Sequence, residues 1–433
     1  MTWKIPEVQH SHVEALAIRG HLKPRPQISE SPASPQAHLD SKYINDRLDM
    51  PGLATEPAQC IASTDTDFDG PLHQTSTEGK HVDGHSFDKS LESNFFHTAK
   101  LSGDGTTIVT YNEDQKWRTY VLPTNLLEDQ EHVLKLTPFA ISNPVKTRCS
   151  ALYPHYVLSE SSTTLALHSL TDTRIRLVNV LDFDYVHATY PWINADTEEI
   201  VTPHSLLFSP DGTRFVAGAK ERIALFDLSR TNEGPVQSHK TCRSKAVRRE
   251  YGEYETPLSG IVNALAINQV NGLLAAGSTE RQLGFWEAGG SGGRISAFSV
   301  RDDTLPETKG CGITQVEWSD CGQYLLVAER GSNVILVFDI RQGKRLCWLR
   351  GRNAKSMQRM SFQVVQSADG QLQGRTDIWA GGIDGHVRVW KDVTHQTDAV
   401  CPSTDIVAHR GLFDLSRFLL PLLISTQTLS RAS

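Results

Sequence analysis

The sequence predicts an all-β fold, a β-propeller, and three observations carry that expectation. A strand–turn–strand–turn–strand unit recurs at a long period, the mark of a repeat architecture in which no unit can bury its apolar face alone. Most units also carry a tight turn ending in glycine: Ser102-Gly103-Asp104-Gly105, Ser209-Pro210-Asp211-Gly212, Asn271-Gly272, Asp320-Cys321-Gly322 and Asp369-Gly370. In such a turn an aspartate accepts from nearby backbone, and Gly105 or Gly212 can take the positive φ that a tight reversal needs. Finally, an aromatic closes the third strand at a matching offset: Tyr120, Phe226, Trp286, Phe338 and Trp390. The last four lie 60, 52 and 52 residues apart, and the gap from Tyr120 to Phe226 leaves room for a weaker unit ending Ile175-Arg176-Leu177-Val178. Six such units define a WD-repeat propeller, whose usual pitch is about 40–45 residues, so the excess length belongs in loops between blades.

The elements follow in chain order. Residues 1–90 hold eight prolines and 13 acidic against 8 basic residues, with few aromatics. Such a segment cannot bury enough apolar surface to offset its ordering entropy, and it is expected to be a disordered tail. The propeller should occupy residues 91–409, with Trp286, Phe338 and Trp390 buried between blades. An acidic residue recurs at the second hairpin turn (Asp114, Asp172, Glu221, Glu280 and Asp384), where its expected role is to tie down the turn. Asp405-Ile406-Val407 reads as the outer strand of the sixth blade. Residues 410–433 have no Asp-Gly turn and no strand-aromatic ending, and they are too few for four strands. The seventh blade is therefore expected to be incomplete. An irregular C-terminal segment should pack between blades six and one, with residues 86–95 supplying a strand there, and leave a weakly closed ring.

Composition excludes several classes. With 43 basic and 50 acidic residues the formal charge is −7, so a nucleic-acid partner would have to be met by a local patch. Seven scattered cysteines form no C-x-x-C pair, which fits free thiols in a reducing compartment. The first residues show no secretory pattern, and the apolar run at 418–424 is far short of the roughly 20 residues that span a bilayer. An intracellular, soluble protein is the expectation. Gly289-Gly290-Ser291-Gly292-Gly293 lacks the phosphate-cradle pattern and reads as an inter-blade loop, and Gly351-Arg352-Asn353-Ala354-Lys355-Ser356 fails the same test. No G-x-S-x-G elbow or H-E-x-x-H pair occurs, and His204 reads as a core histidine. No catalytic residue, metal, cofactor or small-molecule substrate is expected.

Charge patterning does stand out. Residues 340–368 contain no acidic residue and seven basic ones: Arg341, Lys344, Arg345, Arg350, Arg352, Lys355 and Arg359, with Trp348 and Phe362 interleaved. A second cluster, Lys240, Arg243, Lys245, Arg248 and Arg249, sits in a long insertion after the third full repeat, followed by Tyr251 and Tyr254. Two such loops can form a phosphate-binding rim with planar groups for base stacking, and a solvated loop is the plainer alternative.

The run at 190–206 (Tyr190, Asn194, Asp196, Glu198-Glu199 and Pro203-His204-Ser205-Leu206) resembles the WD-repeat telomerase Cajal body protein family, in a fungal-type form. Further matches are Ser259-Gly260-Ile261-Val262, Gly277-Ser278 with Leu283-Gly284, Gly312-Ile313-Thr314 and Phe338-Asp339-Ile340-Arg341-Gln342. The glycine turns are generic to WD repeats, whereas 190–206 is the more specific part. The resemblance implies a non-enzymatic nuclear scaffold that binds small Cajal-body RNAs, telomerase RNA included, and ribonucleoprotein partners, linked to telomerase or pre-mRNA splicing. A protein–protein adaptor, such as a cytoplasmic substrate receptor of a ubiquitin ligase, is the alternative, and Asp339-Ile340-Arg341 is the kind of blade ending compatible with it. Convergence of the two basic loops on one face discriminates between them.

Overall fold

The second strands of blades 3, 4 and 5 read as near-continuous apolar runs, such as Phe215-Val216-Ala217-Gly218-Ala219, because both of their faces are covered. In the computed structural model, which describes residues 54–57, 60–64, 94, 96–128, 132–243, 245–252, 256–366 and 375–408, those covers are the neighbouring blades.

Six antiparallel sheets follow one another. Blade 1 comprises Phe96–Leu101, Thr107–Asn112, Trp117–Val121 and Ala140–Ile141; blade 2 comprises Thr147–Leu152, Leu165–Leu170, Ile175–Asn179 and Asp182–Tyr190. Blade 3 is Ser205–Phe208, Arg214–Ala219, Arg222–Asp227 and Gln237–Lys240, and blade 4 is Val262–Ile267, Leu274–Ser278, Gln282–Trp286 and Arg294–Ser299. Blade 5 runs through Ile313–Trp318, Tyr324–Glu329, Ile335–Asp339 and Lys344–Leu349, and blade 6 through Phe362–Gln366, Thr376–Gly381, His386–Trp390 and Thr404–Val407. Among the four strands of each blade the spatial order is the chain order, first strand innermost.

Four of the five glycine turns take the backbone that the sequence indicates, the fifth, Asp369-Gly370, lying outside the described residues. Of the five acidic residues expected to tie down second turns, two, Asp114 and Asp384, do so through their carboxylates. Gly105, Gly212, Gly272 and Gly322 all have φ near +70°. In the blade 3 turn, Asp211 accepts from the Ser209 hydroxyl at 2.5 Å and the Thr213 amide at 3.2 Å. At the second turns Asp114 holds Arg118 and Asp384 holds Arg388 through paired hydrogen bonds, each locking a hairpin to its own third strand. The glycine-rich stretch at 289–293 lies elsewhere than expected: it forms the turn between the third and outer strands of blade 4, not a connection between blades. There the Gly290 carbonyl meets Nε2 of His239 at 3.0 Å.

Apolar seams join successive blades. Trp286 packs with Val216, Ile223 and Leu225 of blade 3 and Val262 and Leu274 of its own blade. Phe226 lies against blade 2 aromatics, Phe338 against blade 4, and Trp390 against the blade 5 strands. Between blades 6 and 1, by contrast, two small clusters face the seam, one on Val387, Val389 and Ile406 and one on Ile108, Tyr120 and Leu136. Among the described residues no apolar cluster is shared across it.

That seam is bridged from the outside. Ala54–Pro57 lies parallel to the outer strand of blade 6, Ala54 opposite Thr404, and Ala62–Ser63 pairs with Leu134–Lys135 in the long connection within blade 1. These two short pieces come from the stretch expected to be a tail. The pairing piece thus lies some thirty residues before the 86–95 stretch expected to supply a strand. Its backbone groups are satisfied by a sheet edge that exists only after blade 6 has folded. The expectation for 410–433 falls outside the described residues, and within them the last strand is Thr404–Val407, the predicted outer strand of blade 6.

Two glycines show how closely the blades approach. A Cβ at Gly218 would lie 2.7 Å from Val262 Cγ1, and one at Gly277 would lie 2.5 Å from Ile313 Cγ2. Both sit on a second strand where the next blade's first strand begins. Gly277→Val should therefore cost about 1–3 kcal/mol through overpacking of the blade 4–5 seam, read as a lowered urea midpoint. An unchanged midpoint would show that the seam yields.

Candidate nucleic-acid interface

The alternating strand direction fixes two ends of the propeller. Connections between blades and the turns joining second to third strands lie at one end, here the connection face; the other turns lie at the opposite end. Bonds between neighbouring loops confirm the grouping: Lys220 bridges Ile261, the Ile383 amide donates to Asn353 O at 2.6 Å, and the Gly331 amide donates to Ser356 O at 3.0 Å.

The first basic cluster follows the outer strand of blade 3. Lys240 Nζ lies 2.7 Å from Asp196, whose carboxyl is held below its usual range chiefly by that hydrogen bond. Arg243 donates to Gly252 O at 2.9 Å. Lys245, Arg248 and Arg249 belong to the short helix Lys245–Tyr251, where Arg248 and Arg249 are exposed in the last turn, the end at which cations favour the helix dipole.

The second cluster divides. Arg341 and Lys344 sit at the opposite end, where the bidentate grip of Arg341 on Asp339, at 3.0 and 2.7 Å, holds the Asp339 carboxyl below its ordinary range. Arg345 bonds Asp302 at 2.7 Å and lies 5.2 Å from the Trp348 ring. Arg350, Arg352, Lys355 and Arg359 are in the 350–361 connection and so share the connection face with the helix. They differ in environment. Arg352 is 3% exposed and donates to Gly381 O and Ser361 O, both at 2.8 Å, so it braces the loop from within. Burial pushes its guanidinium down to about 10. Arg350 is exposed with Nε 3.2 Å from Cys401 Sγ, Lys355 is exposed, and Arg359 reaches back to blade 4, donating to Asn263 O at 2.6 Å.

Sequence reasoning missed Lys100, Arg148 and Arg330, which stand with His204 and Arg359 around the central channel. They are too far apart in the chain to form a run. The only signal for them is position, next to the ends of inner strands. Among the described residues no group of three or more His, Cys, Asp or Glu side chains could hold a metal ion, and no helix is long and apolar enough to cross a membrane.

This strand order, with its glycine turns and aromatic seams, defines a WD-repeat β-propeller. The fold alone does not fix a role. The chain is similar to telomerase Cajal body proteins and to fungal proteins, and these similar proteins support the role of a scaffold or adaptor. It is 26% identical over 357 residues to the "Guanine nucleotide-binding protein negative regulator 1" of Schizosaccharomyces pombe, covering 78% of this chain and 84% of that one. It is 24% identical over 379 residues to the "Telomerase Cajal body protein 1" of Rattus norvegicus and 25% identical over 299 residues to that of Homo sapiens. The matches cover 86% and 69% of this chain but only 65% and 50% of those proteins. No protein-family model matches the chain. A chain in a crystal structure of a mitotic checkpoint complex superposes with a TM-score of 0.46 at 13% identity, over 69% of this chain and 75% of that one.

Proposed function

We propose that the protein is a non-enzymatic nuclear scaffold that binds a small structured RNA of the Cajal-body class, telomerase RNA included, together with ribonucleoprotein partners in telomerase or splicing work. The supporting observation is that the 241–261 and 350–361 connections emerge on one face, carrying exposed Arg248, Arg249, Arg350 and Lys355 in a chain whose overall charge is −7. A polyanion is attracted to such a local field while the acidic remainder of the surface repels it, which favours one docking orientation. The names of the Cajal body relatives agree with this reading.

The test is sequencing of RNA crosslinked to the protein in its own cells, followed by binding in vitro. Replacing Arg248, Arg249 and Lys355 with glutamine should weaken RNA binding without unfolding the ring. The log–log salt slope should flatten by about 0.7 for each single-strand phosphate that the variant no longer neutralises. Unchanged affinity and slope would return these residues to ordinary surface solvation.

An adaptor for protein partners is the second reading, and one observation favours it. Blades 5 and 6 each accept an added parallel strand, Asp398–Val400 and Ala54–Pro57, on their outer edges. The outer strand of blade 2, Asp182–Tyr190, has no such cover among the described residues and exposes Tyr185 and Val186. Crosslinking that recovers no specific RNA would favour this reading.

A further inference from the structure

The inner strands ring the central channel; cations from four separated positions stand at its connection-face end, and a fifth, Lys100, lies deeper along it. Arg148 is the second residue of the blade 2 inner strand and His204 directly precedes that of blade 3. Arg330 follows the second strand of blade 5, and Arg359 belongs to the connection between blades 5 and 6. Lys100, on the blade 1 inner strand, donates Nζ to the Ser150 carbonyl of blade 2. Arg359 crosses to Asn263 O at 2.6 Å, and Arg148 Nε donates to Thr171 Oγ1 at 3.1 Å. Arg330 Nε is buried without a hydrogen-bond partner.

Among the described residues, no carboxylate pairs with Lys100, Arg148, Arg330 or Arg359. Where these cations find partners, the partners are neutral oxygens. Arg359 is exposed, and its guanidinium reaches across to Asn263 O of the blade 4 inner strand.

The groups feel one another. Burial pushes His204 below its ordinary value, and Arg148 and Arg359 push it further. Burial also lowers Arg359, with Arg330 adding repulsion, and it brings Lys100 down to about 8, again with Arg359 adding. Like charges gathered in a walled space without a counter-charge repel more strongly than on an open surface. A buried guanidinium N–H without an acceptor adds a desolvation cost. Channel water is the plain answer to both. Water, however, offers no negative charge, whereas a phosphate offers charge and several acceptor oxygens at once.

We propose that this end of the channel is a binding site for a phosphate-class anion, held by Arg148, Arg330, Arg359 and Lys100, whether the phosphate is free or belongs to a nucleotide chain. The site stands apart from the RNA-scaffold reading, because a free anion would fill it equally well.

The full-length chain is titrated calorimetrically with pyrophosphate at constant ionic strength, with chloride as the control. Saturable one-to-one binding is expected, weakened at least tenfold by Arg359→Gln and by Arg330→Gln. Arg359→Gln also removes a bond to blade 4, so Arg330→Gln serves as the cleaner variant. Its melting temperature without ligand should be unchanged or higher, because it relieves repulsion and its Nε makes no bond in the fold. Absence of saturable binding, or pyrophosphate binding that survives both substitutions, overturns the proposal. Competition with oligonucleotides bearing a 5′-phosphate or a 5′-hydroxyl then separates the sources. Displacement of pyrophosphate assigns the site to a nucleotide chain, and its absence assigns it to the free anion. RNA binding elsewhere on the face that leaves pyrophosphate in place keeps the two readings distinct.

Discussion

Arg281→Met is expected to destabilise the propeller by about 3–5 kcal/mol, because it leaves a buried carboxylate without its partner. Arg281 Nε and one terminal nitrogen lie 2.7 Å from the two oxygens of Glu329, and the same terminal nitrogen donates to Thr308 O at 2.8 Å. The Glu329 side chain is 1% exposed and that of Arg281 is 11% exposed. The pair links the second turn of blade 4 to the second strand of blade 5. Arg281 adopts φ +63° to do so, a conformation that costs a side-chain-bearing residue about 1 kcal/mol or more and that the pair must offset. Burial raises the Glu329 carboxyl above its ordinary value of 4.5 even with Arg281 pulling it down. Without the arginine it should rise further.

A carboxyl with a raised folded value favours folding when protonated. The deficit of Arg281→Met should therefore be smallest below about pH 4.5 and grow as pH rises through the new folded value. Denaturant midpoints measured from pH 4 to 8 would read this out. Arg281→Met combined with Glu329→Leu should recover most of the loss, since replacing both members with apolar groups removes the orphaned charge. A double variant as unstable as the sum of the single ones would show that the pair acts through geometry alone.

Trp286→Ala should cost about 3–5 kcal/mol through the cavity left between blades 3 and 4. The indole is 1% exposed and meets residues of both blades. Its seat is prepared two residues earlier on the same strand face, where a Cβ at Gly284 would fall 2.8 Å from the six-membered ring. Gly284→Val should thus displace the indole and lose part of the same energy without removing an atom of the tryptophan. Thermal unfolding checks both variants, and the equivalent Trp390→Ala provides an internal comparison at the blade 5–6 seam. A loss below about 1 kcal/mol for Trp286→Ala would mean that the two blades collapse onto the vacancy.

Much of the fold was legible because its signals are local. Gly105 and Gly212, which take positive φ, announce themselves as Asp-Gly, and a third strand announces itself by apolar residues ending in an aromatic. Ile335–Asp339, with Phe338, was readable in this way. Basic runs were legible too, but only as charge. Arg352 and Lys355 are three residues apart and look equivalent in the chain. One is buried against two carbonyls and the other is exposed, because the loop curls so that only some of its side chains face the blade 5–6 seam.

By itself, then, the sequence determined the repeat, its turns, the strand-closing aromatics and the positions of the basic loops. Each depends on backbone preference or periodicity within a few residues. Only the tertiary structure decided which cations share the channel, which arginine pairs with which carboxylate across a seam, and where Ala54–Pro57 finds its edge. Those pairings join residues tens to hundreds of positions apart. They are set by the closing of blades into a ring, where charge and packing act through space and not along the chain.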